Sequence, residues 1–221
     1  MKPVKAMWLL GSGISFKSGV PDAEAITRAL LRDDWSSGTD LAFYHEKSDN
    51  DQNWYPRIRD LLALLKNFAD DYFSYRYGRN ANYEDLYYLV KQLEDHETFT
   101  CDNPAIQGFI EGAVRRTTPM LLPFPRTKNK VNLQKLAQKT QVFIEWALYH
   151  LLAADRPVGL DVLKEFAESP RVEGMDLFTL NHDRLLEKLF EGVDYFSDGF
   201  ETQPEGDVCY RNPALYDAGR K

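Results

Sequence analysis

The chain has 221 residues, 43% hydrophobic and 28% charged, with a formal net charge of −7. This length allows one sizeable core, and an acidic chain without a basic stripe argues against a duplex-binding surface. Two isolated cysteines, Cys101 and Cys209, cannot supply a disulfide framework or a four-cysteine zinc site. The apolar run near the N-terminus is too short for a signal peptide or a membrane span, so we expect a soluble, cytoplasmic protein.

The first predicted elements are a buried strand and a helix joined by a glycine-containing loop. The apolar run Val4–Leu10 ends at Gly11 and is typical of a strand in a parallel sheet. A helix is predicted after Pro21, because proline suits the first turn and the acidic Asp22 and Glu24 suit the positive end of the helix dipole.

The middle of the chain is predicted to be mostly helical, with a polar loop over residues 35–53 and a proline-rich loop over residues 117–128. One helix has a clear start at Asn82, a typical N-cap residue with Asp85 three residues later. The predicted helices cover residues 58–73, 82–93, 105–116 and 131–154 and a short stretch after Gly159.

Strand and loop patterns return near the C-terminus. An apolar run over Leu177–Leu180 leads into Asn181-His182-Asp183, and a helix with Leu185 and Phe190 follows. A further strand is predicted from Val193. These units predict an α/β fold in which residues 1–34 and 171–221 form a parallel sheet layer and residues 54–168 form a large helical insertion.

The segment GSGISFKSGVPD, residues 11–22, follows the first strand directly. Phe16 occupies a required glycine position of both the dinucleotide fingerprint and the Walker A pattern. Small residues would still let backbone N–H groups approach a pyrophosphate, and the alternative is a tight turn without a ligand. The segment resembles the G-A-G-x-S-x-x-S-G-I-P-D motif of sirtuins, with Ser12 for alanine and Val20 for isoleucine.

A second segment, FTLNHDRLLEKL, resembles the strand of sirtuins that ends in Q-N-I-D. Asn181 and Asp183 match its asparagine and aspartate, although Leu180 replaces the glutamine and His182 an aliphatic residue. Thr179 and the following Leu-Leu-Glu resemble the T-x-N-Y-D version found in bacterial NAD-hydrolysing and phage-defence proteins. The segments NYEDLYYLV, from Asn82, and SDGF, from Ser197, also resemble that branch. Taken alone, Asn181 and Asp183 would be interpreted as a helix N-cap.

The resemblance implies a Rossmann-like sheet with both segments at the carboxyl ends of its strands, converging on one cleft. It implies that NAD is the substrate, with Asp183 on the nicotinamide carboxamide and Asn181 ordering the attacking water or the ribose hydroxyls. Gly11, Gly13 and Ser15 would hold the pyrophosphate. The residues that the resemblance implicates as a whole are Gly11, Ser12, Gly13, Ser15, Gly19, Pro21, Asp22, Thr179, Asn181 and Asp183.

Three departures from the sirtuin pattern narrow the expected activity. Paired C-x-x-C motifs are missing, which implies no zinc and speaks against an acyl-lysine groove. Ala23 and Glu24 replace the Phe-Arg that follows the aspartate in the family. The catalytic His-Gly pair is also missing, so we expect the chain to be an N-terminal piece of a longer protein, and the isolated chain could lack activity. His182 is a weak substitute for that base, and His150 is predicted to be a packed core histidine.

Three functions therefore remain open. The first is an NAD+ glycohydrolase domain in an antiphage defence protein, which binds NAD+ or ADP-ribose and assembles as a homo-oligomer or larger complex through other regions. The second is an NAD-dependent protein deacylase, and the third is a non-catalytic NAD or ADP-ribose sensor. The aromatic and arginine residues of Asp71–Asn80 could face single-stranded nucleic acid, but a helix end with partly buried tyrosines is the preferred interpretation.

Overall fold

The computed structural model describes residues 3–32, 54–98, 103–121, 133–153, 156–193, 200–202 and 209–211. These residues form a mixed α/β structure that is mostly helical and contains one two-stranded parallel sheet. The chain divides into two compact units, one formed by Met1–Asp22 with Leu151–Lys221 and the other by Ala23–His150.

The first unit carries both motif segments, residues 11–22 and residues 178–189. Its elements are strand β1 (Val4–Leu10), a 3₁₀ helix (Ser12–Ser18), α6 (Asp161–Ala167), β2 (Val172–Thr179), α7 (Leu185–Leu189), β3 (Phe200–Thr202) and β4 (Cys209–Arg211). Strands β1 and β2 pair in parallel, whereas β3 and β4 form a separate antiparallel pair.

The two faces of the parallel sheet differ in burial. Because side chains alternate along a strand, Trp8 and Leu10 face one side and Met7 and Leu9 the other. Leu10 is 7% exposed and belongs to the core, whereas Met7 and Leu9 are 74% and 78% exposed. The buried strand predicted at Val4–Leu10 is therefore covered on one face by the described residues of this unit. The described helices of this unit contribute their apolar side chains to one face only.

The core of the first unit lies on that covered face. Apolar side chains from β1, from α7 and from the start of α6 meet there, and Trp8 packs edge-on against Phe166 at 5.5 Å. Burying one leucine side chain fully contributes about 1.5–3 kcal/mol. The buried members are Leu10, Leu160, Leu163, Leu185, Leu186, Leu189 and Phe190.

The second unit is a helical assembly. Its main helices are α1 (Ala23–Leu30), α2 (Tyr55–Tyr77), α3 (Tyr83–Thr98), α4 (Gln107–Thr117) and α5 (Leu133–Leu151), with short 3₁₀ helices at Pro104–Ile106 and Thr118–Leu121. Helix α3 contacts α1, α2 and α4. It is also joined to α5, since the Tyr87 hydroxyl donates to Glu145 Oε1 at 2.8 Å.

The start of α3 has the predicted capping geometry. Asn82 Oδ1 accepts hydrogen bonds from the backbone N–H groups of Glu84 and Asp85, at 3.0 and 3.1 Å. In return, Asp85 Oδ2 accepts from the Asn82 N–H at 2.8 Å. These reciprocal bonds satisfy N–H groups that have no partner within the helix, so the predicted N-cap is confirmed.

Other predictions need correction or fall elsewhere. Strand β2 begins at Val172, five residues ahead of the predicted Leu177. The prediction started too late because Glu173 and Asp176 interrupt the apolar pattern of the strand. His150 is exposed at the end of α5 rather than packed in the core, and Tyr75 is 91% exposed near the end of α2. Several predictions fall on residues that the structure does not describe. They are the loop over residues 35–53, most of the proline-rich segment, the strand expected after Val193, and the SDGF match except for Phe200. Of the helices that the structure describes, none has the length and apolar character needed to cross a membrane.

Candidate functional site

The first motif segment folds as a 3₁₀ helix rather than as an open loop. Gly11 precedes the helix in an extended conformation, and Gly19 ends it with a φ of 79°, where its N–H donates to the Phe16 carbonyl. This left-handed conformation favours glycine. Since a 3₁₀ helix has three residues per turn, Ser15 and Ser18 share one face and Ile14 and Lys17 another.

The beginning of this helix has open space around its backbone. The Ile14 N–H donates to the Gly11 carbonyl at 3.2 Å, which leaves the N–H groups of Ser12 and Gly13 ahead of the first helical hydrogen bond. Apart from chain neighbours, no described atom lies within 4 Å of a Cβ built at Gly11 or Gly13. Both glycines therefore leave room for a ligand beside the main chain.

The second motif segment meets the first through hydrogen bonds. The Ser15 hydroxyl donates to Asp183 Oδ2 at 2.6 Å, and Asn181 Nδ2 donates to Ser15 Oγ at 2.9 Å and to the Gly11 carbonyl at 3.3 Å. Ser15 is 2% exposed, while Asn181 and Asp183 are half-buried. The structure thus brings Ser15 of the first segment together with Asn181 and Asp183, which lie more than 160 residues further along the chain.

The parallel pairing of β1 with β2 explains this meeting. Leu10 and Thr179, the last residues of the two strands, lie opposite each other in the register. The segments that leave the strands therefore start side by side at the same edge of the sheet.

Local hydrogen bonds hold the second segment in place. The Asn181 N–H donates to Thr179 Oγ1 at 2.9 Å, and the Leu185 N–H donates to Asp183 Oδ1 at 3.2 Å. Asp183 thus binds the first residue of α7 with one oxygen and Ser15 with the other. The N-cap residue of α7 is Arg184, so Asp183 bonds to the start of the helix from one position before the cap. This bond and the site interpretation of Asp183 are compatible.

The remaining predicted residues surround this cluster in the chain. Ser12 is the first residue of the 3₁₀ helix, Gly19 follows its end, and Thr179 is the last residue of β2. Pro21 and Asp22 are the last residues of this part of the first unit. Because the Ser15 hydroxyl is already bonded to Asp183, it could hold a pyrophosphate only by giving up that bond.

The chemistry of the cluster is that of a hydroxyl, an amide and a carboxylate. His182 lies between Asn181 and Asp183, but it is exposed and takes part in none of the cluster's described hydrogen bonds. Within the ranges that the structure describes, no group of three or more histidine, cysteine or acidic side chains could hold a metal ion. The cluster can therefore orient a polar ligand, and the basic group among its described bonds is the Asp183 carboxylate, which already accepts from Ser15 and from the Leu185 N–H.

An open pocket of about 250 Å³ lies beside the same 3₁₀ helix. Gly13 and Lys17 border it together with apolar side chains from β1 and from residues 158–163. Gly159 has a φ of 77°, and a Cβ built there would lie 3.2 Å from Lys17 Cδ. The Val158 N–H also donates to Ser18 Oγ at 2.9 Å.

The turn around Gly159 also borders this pocket, and it was not predicted to do so. The available signal was the Pro157-Val158-Gly159 sequence, in which proline and glycine favour a turn. Nothing in the sequence indicates that this turn contacts the 3₁₀ helix.

Comparisons of the chain with protein-family models, with curated proteins and with solved structures gave no match.

Proposed function

We propose that this chain is a sirtuin-like domain that hydrolyses NAD+ to nicotinamide and ADP-ribose. The observation that carries this proposal is the hydrogen-bonded cluster of Ser15, Asn181 and Asp183, which joins the two motif segments. Two segments that resemble motifs of one family, more than 160 residues apart in the chain, thus share one set of hydrogen bonds. The resemblance would assign such a domain to antiphage defence in the cytoplasm, within a larger assembly.

The proposal includes a Rossmann-like sheet interrupted by the helical unit Ala23–His150. Parallel pairing of β1 with β2 supports this arrangement, because ligands of open parallel sheets bind outside the carboxyl ends of the strands. Both motif segments begin at that edge. NAD+ would therefore lie across the ends of β1 and β2.

The reaction breaks the bond between the ribose C1′ and the nicotinamide nitrogen. The nitrogen takes the bonding electron pair and leaves as neutral nicotinamide, while C1′ develops oxocarbenium character. The oxygen of a water molecule then bonds to C1′, and the proton it loses passes to solvent or to a base. Electrostatic stabilisation of this positive charge is the main task of the enzyme.

The roles of the cluster residues follow from their functional groups. The Asp183 carboxylate would accept hydrogen bonds from the nicotinamide carboxamide, and its negative charge would stabilise the oxocarbenium ion. The Asn181 amide would order the water or the ribose hydroxyls. Buried Ser15 would hold both side chains in position, while the N–H groups of Ser12 and Gly13 would face the pyrophosphate.

One observation favours a second candidate, a sensor that binds NAD+ or ADP-ribose without cleaving it. The polar atoms of the cluster bond to one another and to backbone groups, and His182 is not among their described partners. A site whose carboxylate is engaged in this way could bind the dinucleotide and orient it with little turnover, because the bonded carboxylate would be a weak general base.

Nicotinamide release tests the proposal and separates the candidates. The full-length protein is incubated with NAD+ alone and with NAD+ plus an acetyl-lysine peptide, and binding is measured by calorimetry. Release without peptide supports hydrolysis, whereas release only with peptide supports a deacylase. Binding without release supports the sensor, and neither binding nor release would contradict both the hydrolase and the sensor.

Variants then test the residue assignments. Asn181→Ala should lower release at least about 100-fold, since a lost catalytic hydrogen bond costs about 2.7–4 kcal/mol. Glu191→Ala, at an exposed position just after α7, is the matched control and should release nicotinamide as fast as the parent. Equal rates for Asn181→Ala and the parent would show that the second motif segment was wrongly assigned.

A further inference from the structure

A dinucleotide at the proposed site raises a problem of charge. Its diphosphate carries two negative charges, and the site already contains the carboxylate of Asp183. Lys17 is the single lysine of the first motif segment, residues 11–22, which contains no arginine. The stretch 177–183 contains neither lysine nor arginine. The first basic residue after that stretch is Arg184, which is exposed at the start of α7.

Lys17 is an exposed residue at the edge of the pocket beside the 3₁₀ helix. It borders the 250 Å³ pocket together with Gly13, the glycine that leaves the backbone open. Its side chain lies over Gly159, where a Cβ would be 3.2 Å from its Cδ and 3.9 Å from its Nζ. The ion pairs of the described residues do not include Lys17, so no carboxylate there neutralises its ammonium group.

The turn at Gly159 holds this arrangement. A residue with a Cβ would be strained at a φ of 77° and would push against the lysine stem. On the same turn, the Val158 N–H donates to Ser18 Oγ, next to Lys17 in the chain. The turn and the 3₁₀ helix therefore fix the starting point and the path of the lysine side chain.

We propose that Lys17 binds the diphosphate of the nucleotide at the mouth of this pocket, beside the Gly13 backbone. This inference rests on the proposed function and adds a residue that recognises the charge of the ligand. The ammonium group offers three hydrogen-bond donors and a positive charge to a phosphate oxygen. Typical small-molecule pockets measure about 300–1,000 Å³, so this pocket takes only part of a dinucleotide.

Calorimetric titrations of the parent chain and of three variants test the proposal. The ligands are NAD+, ADP-ribose and ADP, which contain a diphosphate, and nicotinamide riboside, which contains no phosphate. Lys17→Met should weaken binding of the three diphosphate ligands about tenfold or more, as expected for a charged hydrogen bond. Lys17→Arg should stay within a few-fold of the parent. Arg184→Met, the matched control, should change binding less than Lys17→Met does.

The outcomes separate this inference from the proposed function. If the parent binds NAD+ and Lys17→Met binds it equally well, the role of Lys17 is wrong while NAD+ binding stands. Equal weakening for nicotinamide riboside and ADP would also overturn it, because the loss would not depend on phosphate. If the parent binds ADP but not NAD+, the hydrolase fails, and the Lys17 variants still decide the inference. A parent that binds none of these ligands contradicts both.

Discussion

Replacing Ser15 by alanine should destabilise the unit that contains the candidate site by about 2 kcal/mol. The Ser15 hydroxyl donates to Asp183 Oδ2 at 2.6 Å and accepts from Asn181 Nδ2 at 2.9 Å. A hydrogen bond to a charged group contributes about 1.5–3 kcal/mol and one between neutral groups about 1 kcal/mol. Because Asp183 and Asn181 are half-buried, water can replace part of what is lost, and the expected effect lies below the sum.

The assay must report on this unit by itself. The chain has two compact units, which need not unfold together, so a single melting temperature could hide the effect. Native-state hydrogen exchange at the backbone amides of β1 and β2 measures the opening free energy of the unit that carries Ser15. Ser18→Ala is the control, since it removes one hydrogen bond from an exposed backbone N–H and should cost about 1 kcal/mol or less.

A double-mutant cycle isolates the bond to Asp183. Ser15→Ala and Asp183→Ala should be less than additive by about 1 kcal/mol or more, because both remove the same hydrogen bond. The reasoning would be refuted if Ser15→Ala cost no more than Ser18→Ala, or if the two changes were additive. Either result would mean that the two motif segments do not depend on each other.

Three further predictions concern other parts of the chain. Gly13→Ala should leave stability within about 1 kcal/mol of the parent, because the added Cβ meets open space, but it should weaken NAD+ binding in calorimetry, because the Cβ would occupy space meant for the ligand. Equal NAD+ affinity in Gly13→Ala and the parent would contradict this. Gly19→Ala, by contrast, should cost about 1–2 kcal/mol of stability, because Gly19 has a φ of 79°. Asp85→Ala should destabilise the helical unit by more than 1 kcal/mol in urea unfolding. Asp85 closes the capping box of α3, and its carboxylate also accepts two hydrogen bonds from an arginine of the preceding turn. A change near zero would show that the cap is dispensable. A hydrogen bond from Gln138, assisted by a neighbouring lysine, lowers the pKa of Glu94 below its ordinary value of 4.5. The Glu94 carboxylate therefore stabilises the folded state above that pH, and this stabilisation is lost as the pH falls through the lowered pKa. In urea unfolding between pH 3 and 6, Glu94→Gln should lose stability less steeply than the parent, by less than about 1 kcal/mol, and an unchanged slope would refute the assignment.

Local rules predicted the elements whose signals are local. Asn82 and Asp85 identify the start of α3 because a capping box requires only residues three apart. The apolar spacing of Ile58 and Leu62 identifies a helix whose buried face packs against its neighbours, and both side chains are fully buried. The meeting of residues 11–15 with residues 181–183 was also expected, because parallel strands end at a common edge.

Features that depend on distant contacts were not predicted. Met7 and Leu9 are exposed although they lie on a strand that was predicted to be buried, because burial depends on what covers each face of the sheet, which the strand itself does not encode. The 3₁₀ helix was expected to be an open loop, yet Ser18 bonds to the turn around Val158, far along the chain. The bond between Ser15 and Asp183 likewise required the pairing of β1 with β2, and the sequence motif alone assigned Ser15 to the pyrophosphate.

The most direct test is an NMR titration of the isotope-labelled chain with NAD+. If one dinucleotide spans both segments, the backbone amides of Ser12 and Gly13 and the side-chain amide of Asn181 should shift together along a single saturation curve. Shifts confined to one of the two segments, or shifts at both that saturate at different concentrations, would contradict a shared site.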